Sequence, residues 1–275
     1  MTPQQILDTP DLIAVGVAGD DTRRQMHGAK TTFVRVFELH VEAPPPSLPA
    51  GTHAGEIRIV GAPASLQLAV VAVQAAAALA AGTPVTGFSV LDLQGLPEPM
   101  VEVCEALRAA GLTAITHLQI DSVTSAAEAV RAIHEAGLRL PTISVEIIGA
   151  DERMTICECA ADLQTTVGGF RAFAPLPRTI STTQPTTGYD DVKMVALARV
   201  IVANIPSIQV DWQLHGPKLA QVALTVGADD VDNVSAVDPG VLGTRRSPLE
   251  EILGNIKAAG LEAVERDALF NPRQP

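Results

Sequence analysis

The chain alternates short apolar segments with helical segments, and this alternation limits the folds that are open to it. After a first strand that begins at Phe33, apolar segments of strand length lie at 56–61, 85–93, 112–120, 141–149, 170–176, 207–214 and 228–234. Three of the helical segments between them end at Gly82, Gly111 and Gly137, because glycine readily takes the left-handed conformation that ends a helix. Strands that alternate with helices form parallel βαβ units. Eight such strands predict a closed (β/α)8 barrel of the TIM type, with a doubly wound open sheet as the alternative.

The alternation fails once, between the first and second strands. The segment 33–53, FVRVFELHVEAPPPSLPAGTH, begins as a strand and then reaches three consecutive prolines, Pro44 to Pro46. Proline lacks a backbone donor and clashes inside a helix, so this segment cannot form the usual crossover helix. We therefore predict a shortened barrel in which a proline-rich loop replaces the first crossover helix.

The same strand carries three polar residues on one face. Glu38, His40 and Glu42 alternate with apolar neighbours, and their spacing resembles a set of metal ligands. A histidine that is hydrogen-bonded between two carboxylates for structural reasons would give the same pattern. These residues are therefore weak candidates for a metal site, and no metal is predicted.

Charge and composition argue against several kinds of partner. The 275 residues suit a single barrel domain spanning 1–275. The net charge of −12 repels phosphate polymers and anionic membranes, and an aromatic content of 3% leaves few residues for base stacking. We therefore expect neither nucleic acid nor membrane as a partner. No signal peptide or spanning helix is predicted, and three cysteines without paired spacing suit the reduced thiols of a cytoplasmic protein.

Polar residues follow many of the predicted strands. In a barrel the chemistry occurs where the strands end, at the carboxyl side. The residues at those ends are Glu42, Asp92, Gln94, Gln119, Asp121, Glu146, Arg178, Trp212, His215, Asp229, Asp230, Asp232 and Asn233. They predict an acidic, hydrogen-bonding mouth that suits a small hydroxyl-rich molecule or a divalent cation. Loop ends are polar in any barrel, which is the alternative explanation for each residue.

Several longer segments carry a family resemblance. GADERMTICECAADLQTTVGGFRAFAPLP, TGYDDVKMVALARVIVANIPSIQVDWQLHGPKLAQVALTVGADDVDN and AGLEAVERDALFN resemble the C-terminal half of the aminofutalosine synthases. The segment RRQMHGAKTTFVR at 23–35 and the strand EIRIVG are similar to earlier parts of the same family. Those proteins are radical S-adenosylmethionine enzymes of the futalosine route to menaquinone, with cyclic dehypoxanthine futalosine synthases and deazaflavin-forming enzymes as relatives. The resemblance implies a radical-enzyme barrel.

The resemblance also implies a [4Fe–4S] cluster, held by C-x-x-x-C-x-x-C in the loop after the first strand. Such clusters are held by cysteine thiolates. Here Ser47 stands where the first cysteine is expected, and no cysteine precedes Cys104. Cys157 and Cys159 lie two apart on a predicted helix, so they face different sides. We therefore predict that no cluster forms.

The family's histidine after the fifth strand corresponds to Ala150, which makes S-adenosylmethionine binding doubtful. The part of the barrel that still resembles the family is the wall formed by the seventh and eighth strands and the helices after them. Its predicted ligand-binding residues are Trp212, His215, Lys218, Asp229, Asp230 and Asp232. Core packing is the alternative for Trp212, and simple exposure is the alternative for Lys218, whose charge opposes the helix dipole.

Three functions remain open. In the first, the chain is a pseudoenzyme that binds a small polar, nucleoside-like intermediate of menaquinone biosynthesis, or a pathway enzyme, without radical chemistry. In the second, it is a non-radical enzyme that uses the acidic mouth, with or without a metal, on a related nucleoside. In the third, the barrel edge left by the missing helix docks on another chain, as a homodimer or with a pathway enzyme.

Overall fold

In a computed structural model of the chain, residues 1–149, 151–179, 185–238 and 247–273 are described, and they form a closed barrel of parallel strands. The barrel strands are β1 (Lys30–His40), β2 (Glu56–Val60), β3 (Val85–Ser89), β4 (Ala114–Gln119), β5 (Thr142–Val145), β6 (Ala172–Pro177), β7 (Ser207–Asp211) and β8 (Asp230–Ser235). Each strand pairs with the next, and β1 pairs in parallel with both β8 and β2. The predicted eight-strand barrel is confirmed.

Helices surround the barrel, and two of them precede the first strand. The helices are α1 (Pro3–Asp8), α2 (Leu12–His27), α3 (Leu66–Leu79), α4 (Val90–Gln94), α5 (Met100–Ala110), α6 (Ala126–Glu135), α7 (Arg153–Thr166), α8 (Gly188–Ile201), α9 (Trp212–Thr225) and α10 (Pro248–Ala258). Residues 41–55, between β1 and β2, form a loop without a helix. The predicted loss of the first crossover helix is therefore confirmed. Within the described ranges, no helix has both the length and the apolar character needed to cross a membrane.

A ninth strand, β9 (Glu262–Glu265), was not predicted from the sequence. It pairs in parallel with the first half of β1, from Lys30 to Phe33. The register explains its place, because β2 pairs with β1 only from Val36 onwards. The start of β1 would otherwise leave its backbone groups unpaired on that side, and β9 fills this gap.

Two strands end earlier than predicted, because their last polar residues cap helices. The predicted strand 85–93 ends at Ser89, whose hydroxyl accepts a hydrogen bond from the backbone N–H of Asp92 and starts α4. The predicted strand 207–214 ends at Asp211, whose carboxylate accepts from the backbone N–H of Leu214 and starts α9. Both are typical N-cap contacts, which a search for apolar runs does not register.

The helix α2 packs closely on the outer layer of the barrel. At Gly19 a Cβ would lie 2.0 Å from the carbonyl oxygen of Val226 and 3.1 Å from the Cβ of Ala196. Only glycine allows the helix backbone to approach this closely. The segment before the first strand is therefore part of the folded barrel.

Candidate functional site

The barrel lumen contains a cavity of about 200 Å³ that is lined largely by polar side chains. It extends from residues at the carboxyl ends of strands, such as Ser89, to residues at their amino ends, such as Glu56 and Thr142. Its charged and ring-bearing lining residues include Glu38, Glu56, Arg58, His117, Arg178, Asp232, Arg266 and Phe270. A lumen of this kind can bind a polar molecule through several fixed charges.

A buried ion pair forms the centre of this lining. Arg58 donates two hydrogen bonds to Asp232, both of 2.9 Å, and its Nε donates to Glu56 at 2.6 Å. Glu56 also accepts a hydrogen bond of 2.5 Å from the hydroxyl of Thr86. Burial alone would raise the pKa of Asp232, but the Arg58 guanidinium holds that pKa at about 2. Asp232 is therefore a fixed negative charge at any physiological pH.

Two other lumen residues have pKa values shifted in opposite directions. Burial, together with the charge of Asp211, raises the pKa of Glu38, although Arg58 opposes the shift. Burial and the charges of Arg178 and Arg58 hold the pKa of His117 well below its ordinary value. His117 is therefore a neutral imidazole near pH 7, and Glu38 takes up a proton more readily than an exposed glutamate.

Buried polar atoms without a hydrogen-bond partner lie near the carboxyl ends of the strands. In the described part of the chain they include Gln119 Oε1, Asp211 Oδ2 and His215 Nδ1. Asp211 Oδ2 lies 3.5 Å from Arg178 Nη1, and His215 Nε2 lies 3.2 Å from the carbonyl oxygen of Pro177. Buried polar groups are nearly always hydrogen-bonded, so these atoms mark positions where a polar ligand or water would bind.

The structure corrects the predicted placement of two carboxylates. Asp229 precedes β8 and Asp230 is its first residue, so both lie at the amino end of the barrel and not at its mouth. Asp229 forms a buried ion pair with Arg199 and accepts a 2.8 Å hydrogen bond from the backbone N–H of Ile208. Asp230 accepts two hydrogen bonds of 2.6 and 2.7 Å from Arg266. The ion pairs of Asp229 with Arg199 and of Asp230 with Arg266 therefore stabilise the amino end of the barrel.

The other predicted residues are spread over different surroundings. Trp212 begins α9 and is 7% exposed within the hydrophobic core. Lys218 is exposed and follows a kink at Gly216, where φ is 79°. His215 lies near the mouth, and Asp232 is the one of the six that lines the lumen cavity. Only the placement of Asp229 and Asp230 is corrected, and a role in ligand binding stays a prediction for all six residues.

The weak candidates for a metal site do not come together. Because β1 ends at His40, Glu42 lies in the following turn, where its backbone N–H donates to His40 Nδ1 at 3.3 Å. Glu38 instead lines the lumen. Among the described residues, no three His, Cys, Asp or Glu side chains are arranged to hold a metal ion.

The residues present do not fit an iron–sulfur cluster. Residues 41–55, where the resemblance places the cluster loop, contain no cysteine. Cys104 in α5 and Cys157 in α7 are buried, and Cys159 in α7 is exposed, so the prediction that the last two face different sides is confirmed. Burial raises the pKa of the Cys104 thiol to about 12 and also raises that of Cys157, whereas a cluster needs thiolates. Ala150 lies outside the described residues.

Sequence reasoning missed three of the most important lumen residues, Arg58, His117 and Arg266. Arg58 is the only cation in the strand EIRIV, and His117 lies in the strand AITHLQ. A charged or titratable residue inside a short apolar strand is the signal that could have found Arg58 and His117, whereas Arg266 follows β9 and has no such signal. In a barrel, alternate residues of each strand face the lumen.

Comparison with known proteins shows which sequences this chain is similar to. The chain is 31% identical to aminodeoxyfutalosine synthase of Thermus thermophilus over 204 residues, which is 62% of this chain and 55% of that protein. It is 30% identical to cyclic dehypoxanthine futalosine synthase of Streptomyces coelicolor over 151 residues, or 49% of this chain and 37% of that protein. Over these stretches the chain is similar to the futalosine synthases.

Other matches extend this relationship. A family model described as CofH/MqnC C-terminal region matches residues 170–274. A 5-amino-6-(D-ribitylamino)uracil–L-tyrosine 4-hydroxyphenyl transferase of Methanosarcina barkeri is 32% identical over 182 residues, covering 58% of this chain and 45% of that protein. The chain thus spans about half the length of the curated relatives that it matches.

Solved structures share the fold at low sequence identity. The FeFe-hydrogenase maturase HydG from Carboxydothermus hydrogenoformans aligns with a TM-score of 0.64 and 13% identity, over 95% of this chain and 78% of that one. Methylornithine synthase aligns with a TM-score of 0.60 and 10% identity, over 95% of this chain and 92% of that one. These likenesses show the barrel fold and nothing about the ligand.

Proposed function

We propose that this homologue of the futalosine synthases binds a polar, nucleoside-like ligand in its barrel lumen and performs no radical chemistry. The observation that carries the proposal is a group of buried polar atoms near the mouth that lack a hydrogen bond: Gln119 Oε1, Asp211 Oδ2 and His215 Nδ1. Asp211 Oδ2 lies 3.5 Å from Arg178, which lines the lumen cavity. A ligand with hydroxyl and amino groups would supply the missing hydrogen bonds. The names of the curated relatives point to ligands of the futalosine class.

The size and charge of the lumen support a ligand of this kind. A cavity of about 200 Å³ suits a single ring or sugar, so the rest of a larger ligand would lie at the mouth. The ion pair of Arg58 with Asp232 offers both hydrogen-bond donors and acceptors in fixed positions. Arg178 adds a half-buried cation beside Asp211.

The cysteines support the absence of radical chemistry. A cluster of the expected kind requires three thiolates on one loop, and residues 41–55 contain none. Anaerobic treatment with iron and sulfide should therefore leave the protein colourless and free of stoichiometric iron. A stable brown protein with about four irons per chain, as in a [4Fe–4S] cluster, would refute this part of the proposal.

The binding test compares Arg178 with a cation far from the lumen. Calorimetry with futalosine-type nucleosides should show saturable binding to the native protein. Arg178→Gln should weaken it about tenfold to a hundredfold, because a hydrogen bond to a charged group is lost. Lys257→Gln removes the same charge from the exposed side of α10 and should leave the affinity unchanged. Failure of every nucleoside to bind would refute the proposal, and a dimer in sedimentation would then favour the docking hypothesis.

Acid–base catalysis without radicals is the second candidate, and the opposite pKa shifts of Glu38 and His117 favour it. Two titratable groups whose surroundings drive their pKa values apart can act as proton donor and acceptor. Incubating the native protein with each nucleoside and separating the products distinguishes binding from turnover. This candidate would be established if the native protein turns a nucleoside over and if Glu38→Gln and His117→Gln each abolish the turnover while still binding the nucleoside.

A further inference from the structure

A second cavity lies at the opposite end of the barrel from the mouth. It has a volume of about 430 Å³ and is formed by the loops that lead into β5 and β6, together with the segment after β9. We call it the basal pocket, and its main lining residues are His134, Leu138, Arg139, Leu140, Arg171 and Phe270. The volume of the pocket is within the usual range for small-molecule sites, which is about 300–1,000 Å³.

Two arginines on neighbouring loops carry the positive charge of this pocket. The backbone N–H of Arg171 donates a 2.7 Å hydrogen bond to the carbonyl of Pro141, two residues after Arg139, so the two loops touch. Both arginines are exposed, and within the described ranges neither guanidinium has a hydrogen bond or an ion pair. Most described arginines of this chain, whose net charge is −12, do form ion pairs. Arg108 and Arg131 also lack an ion pair within the described ranges, so what distinguishes Arg139 and Arg171 is that both line one cavity. There Arg171 lies 5.9 Å from the centre of the Phe270 ring.

Leucine and phenylalanine side chains form much of the remaining lining, together with His134. Leu138 and Leu140 are buried, and Phe270 lies beneath the Arg266 guanidinium at 3.8 Å. His134 enters the pocket beside Gly169, where a Cβ would lie 2.8 Å from the imidazole Cε1. The pocket thus combines a flat apolar surface with two cations and an imidazole.

We propose that the basal pocket binds a small oxyanion that carries an apolar group, such as an aromatic carboxylate or phosphate ester. Arg139 and Arg171 bind the anionic group, because a guanidinium matches carboxylate and phosphate oxygens with paired hydrogen bonds. Leu140 and Phe270 pack against the apolar part. This site adjoins the lumen cavity, with which it shares Phe270 as a lining residue, but it lies at the other end of the barrel from the mouth and does not depend on the function proposed for the lumen.

Calorimetry with simple probes tests this assignment on the intact chain. Benzoate and phenyl phosphate are the anionic probes, and benzyl alcohol is the neutral probe with the same ring. We expect one site per chain for each anion, with affinity at least about tenfold above that of benzyl alcohol. Arg171→Gln and Arg139→Gln should each weaken anion binding about tenfold or more, since each removes charged hydrogen bonds.

Two further variants separate local from general effects. Lys257→Gln removes an equal charge far from the pocket and should bind the anions as the native protein does. Arg178→Gln, in the lumen, should also leave this binding unchanged. Three results would each overturn the proposal. The first is an affinity for benzyl alcohol equal to that for the anions, and the second is unchanged anion binding in Arg171→Gln. The third is anion binding that is lost in Arg178→Gln but kept in Arg139→Gln and Arg171→Gln. Arg139 and Arg171 are exposed, so unchanged thermal midpoints will confirm that their variants fold.

Discussion

Replacing Asp229 with alanine removes the acidic partner of a buried ion pair. Arg199 is fully buried, and besides Asp229 it donates to the carbonyl oxygens of Gly227 and Pro206. In the variant the two carbonyls remain, but the full charge of the guanidinium loses its counter-ion. The backbone N–H of Ile208 also loses its acceptor. We therefore expect a large loss of stability and no specific loss of ligand binding.

The size of the effect follows from the burial. Removing one partner of a buried ion pair costs about 3–5 kcal/mol. At about 2.1 cal/mol/K per residue, a chain of 275 residues has an unfolding entropy of about 0.6 kcal/mol/K. The Tm should therefore fall by about 5–9 °C.

Calorimetric unfolding of the Asp229→Ala variant measures this fall, with Asp162→Ala as the matched control. Asp162 lies exposed on α7, and its carboxylate has no hydrogen bond or ion pair within the described part of the chain. The control should change Tm by less than about 1 °C, because exposed substitutions rarely exceed 0.5 kcal/mol. If Asp229→Ala keeps the native Tm but loses nucleoside binding, Asp229 belongs to a ligand site and the reasoning is wrong.

Two further changes test the lumen and the outer layer. Because the pKa of His117 is lowered in the folded barrel, the unfolded chain takes up its proton first, and stability should fall as the pH drops below about 6.5, by up to about 1.4 kcal/mol per pH unit. Urea unfolding between pH 7 and 5 should show a shallower loss in His117→Gln, and an unchanged slope would contradict the buried neutral imidazole. Gly19→Ala should cost about 1–3 kcal/mol, since the new Cβ would meet the Val226 carbonyl. Gly254→Ala, where nothing lies within 4 Å of the new Cβ, should gain up to about 1 kcal/mol; equal effects of the two would refute the close packing of α2.

The barrel could be predicted from the sequence because its signals are local. Helix stops such as Gly111 and strands such as EIRIV are visible within a few residues, and the prolines at 44–46 exclude a helix by themselves. The strand β9 has no such signal. Its four residues, EAVE, pair with β1 only because the register of β2 leaves the first half of β1 open. The paired residues of β9 and β1, such as Glu262 and Lys30, lie more than 200 positions apart in the chain.

The site was harder to predict, because a polar residue near a strand does not show at which end it lies. Asp230 and Asp232 are two residues apart in the same strand. Asp230 binds Arg266 at the amino end of the barrel, whereas Asp232 lines the lumen cavity. Their partners, Arg266 and Arg58, come from distant parts of the chain. Only the closed barrel brings each carboxylate to its arginine, so the pairing could not be found from spacing.

The position of β1 between β8 and β9 has a consequence for synthesis on the ribosome. Thr32 in β1 is hydrogen-bonded to Asp230, 198 residues later, and Lys30 pairs with Glu262. Until residues 230–265 have been translated, the strands of a nascent chain can form only an open sheet. Its two edge strands are β1 and β7, and both are unpaired on one side. Such unpaired edges are prone to aggregation, and long-range pairing is slow. This protein therefore completes its barrel late, and we expect its yield in cells to depend on chaperones that shield the first strand while translation continues.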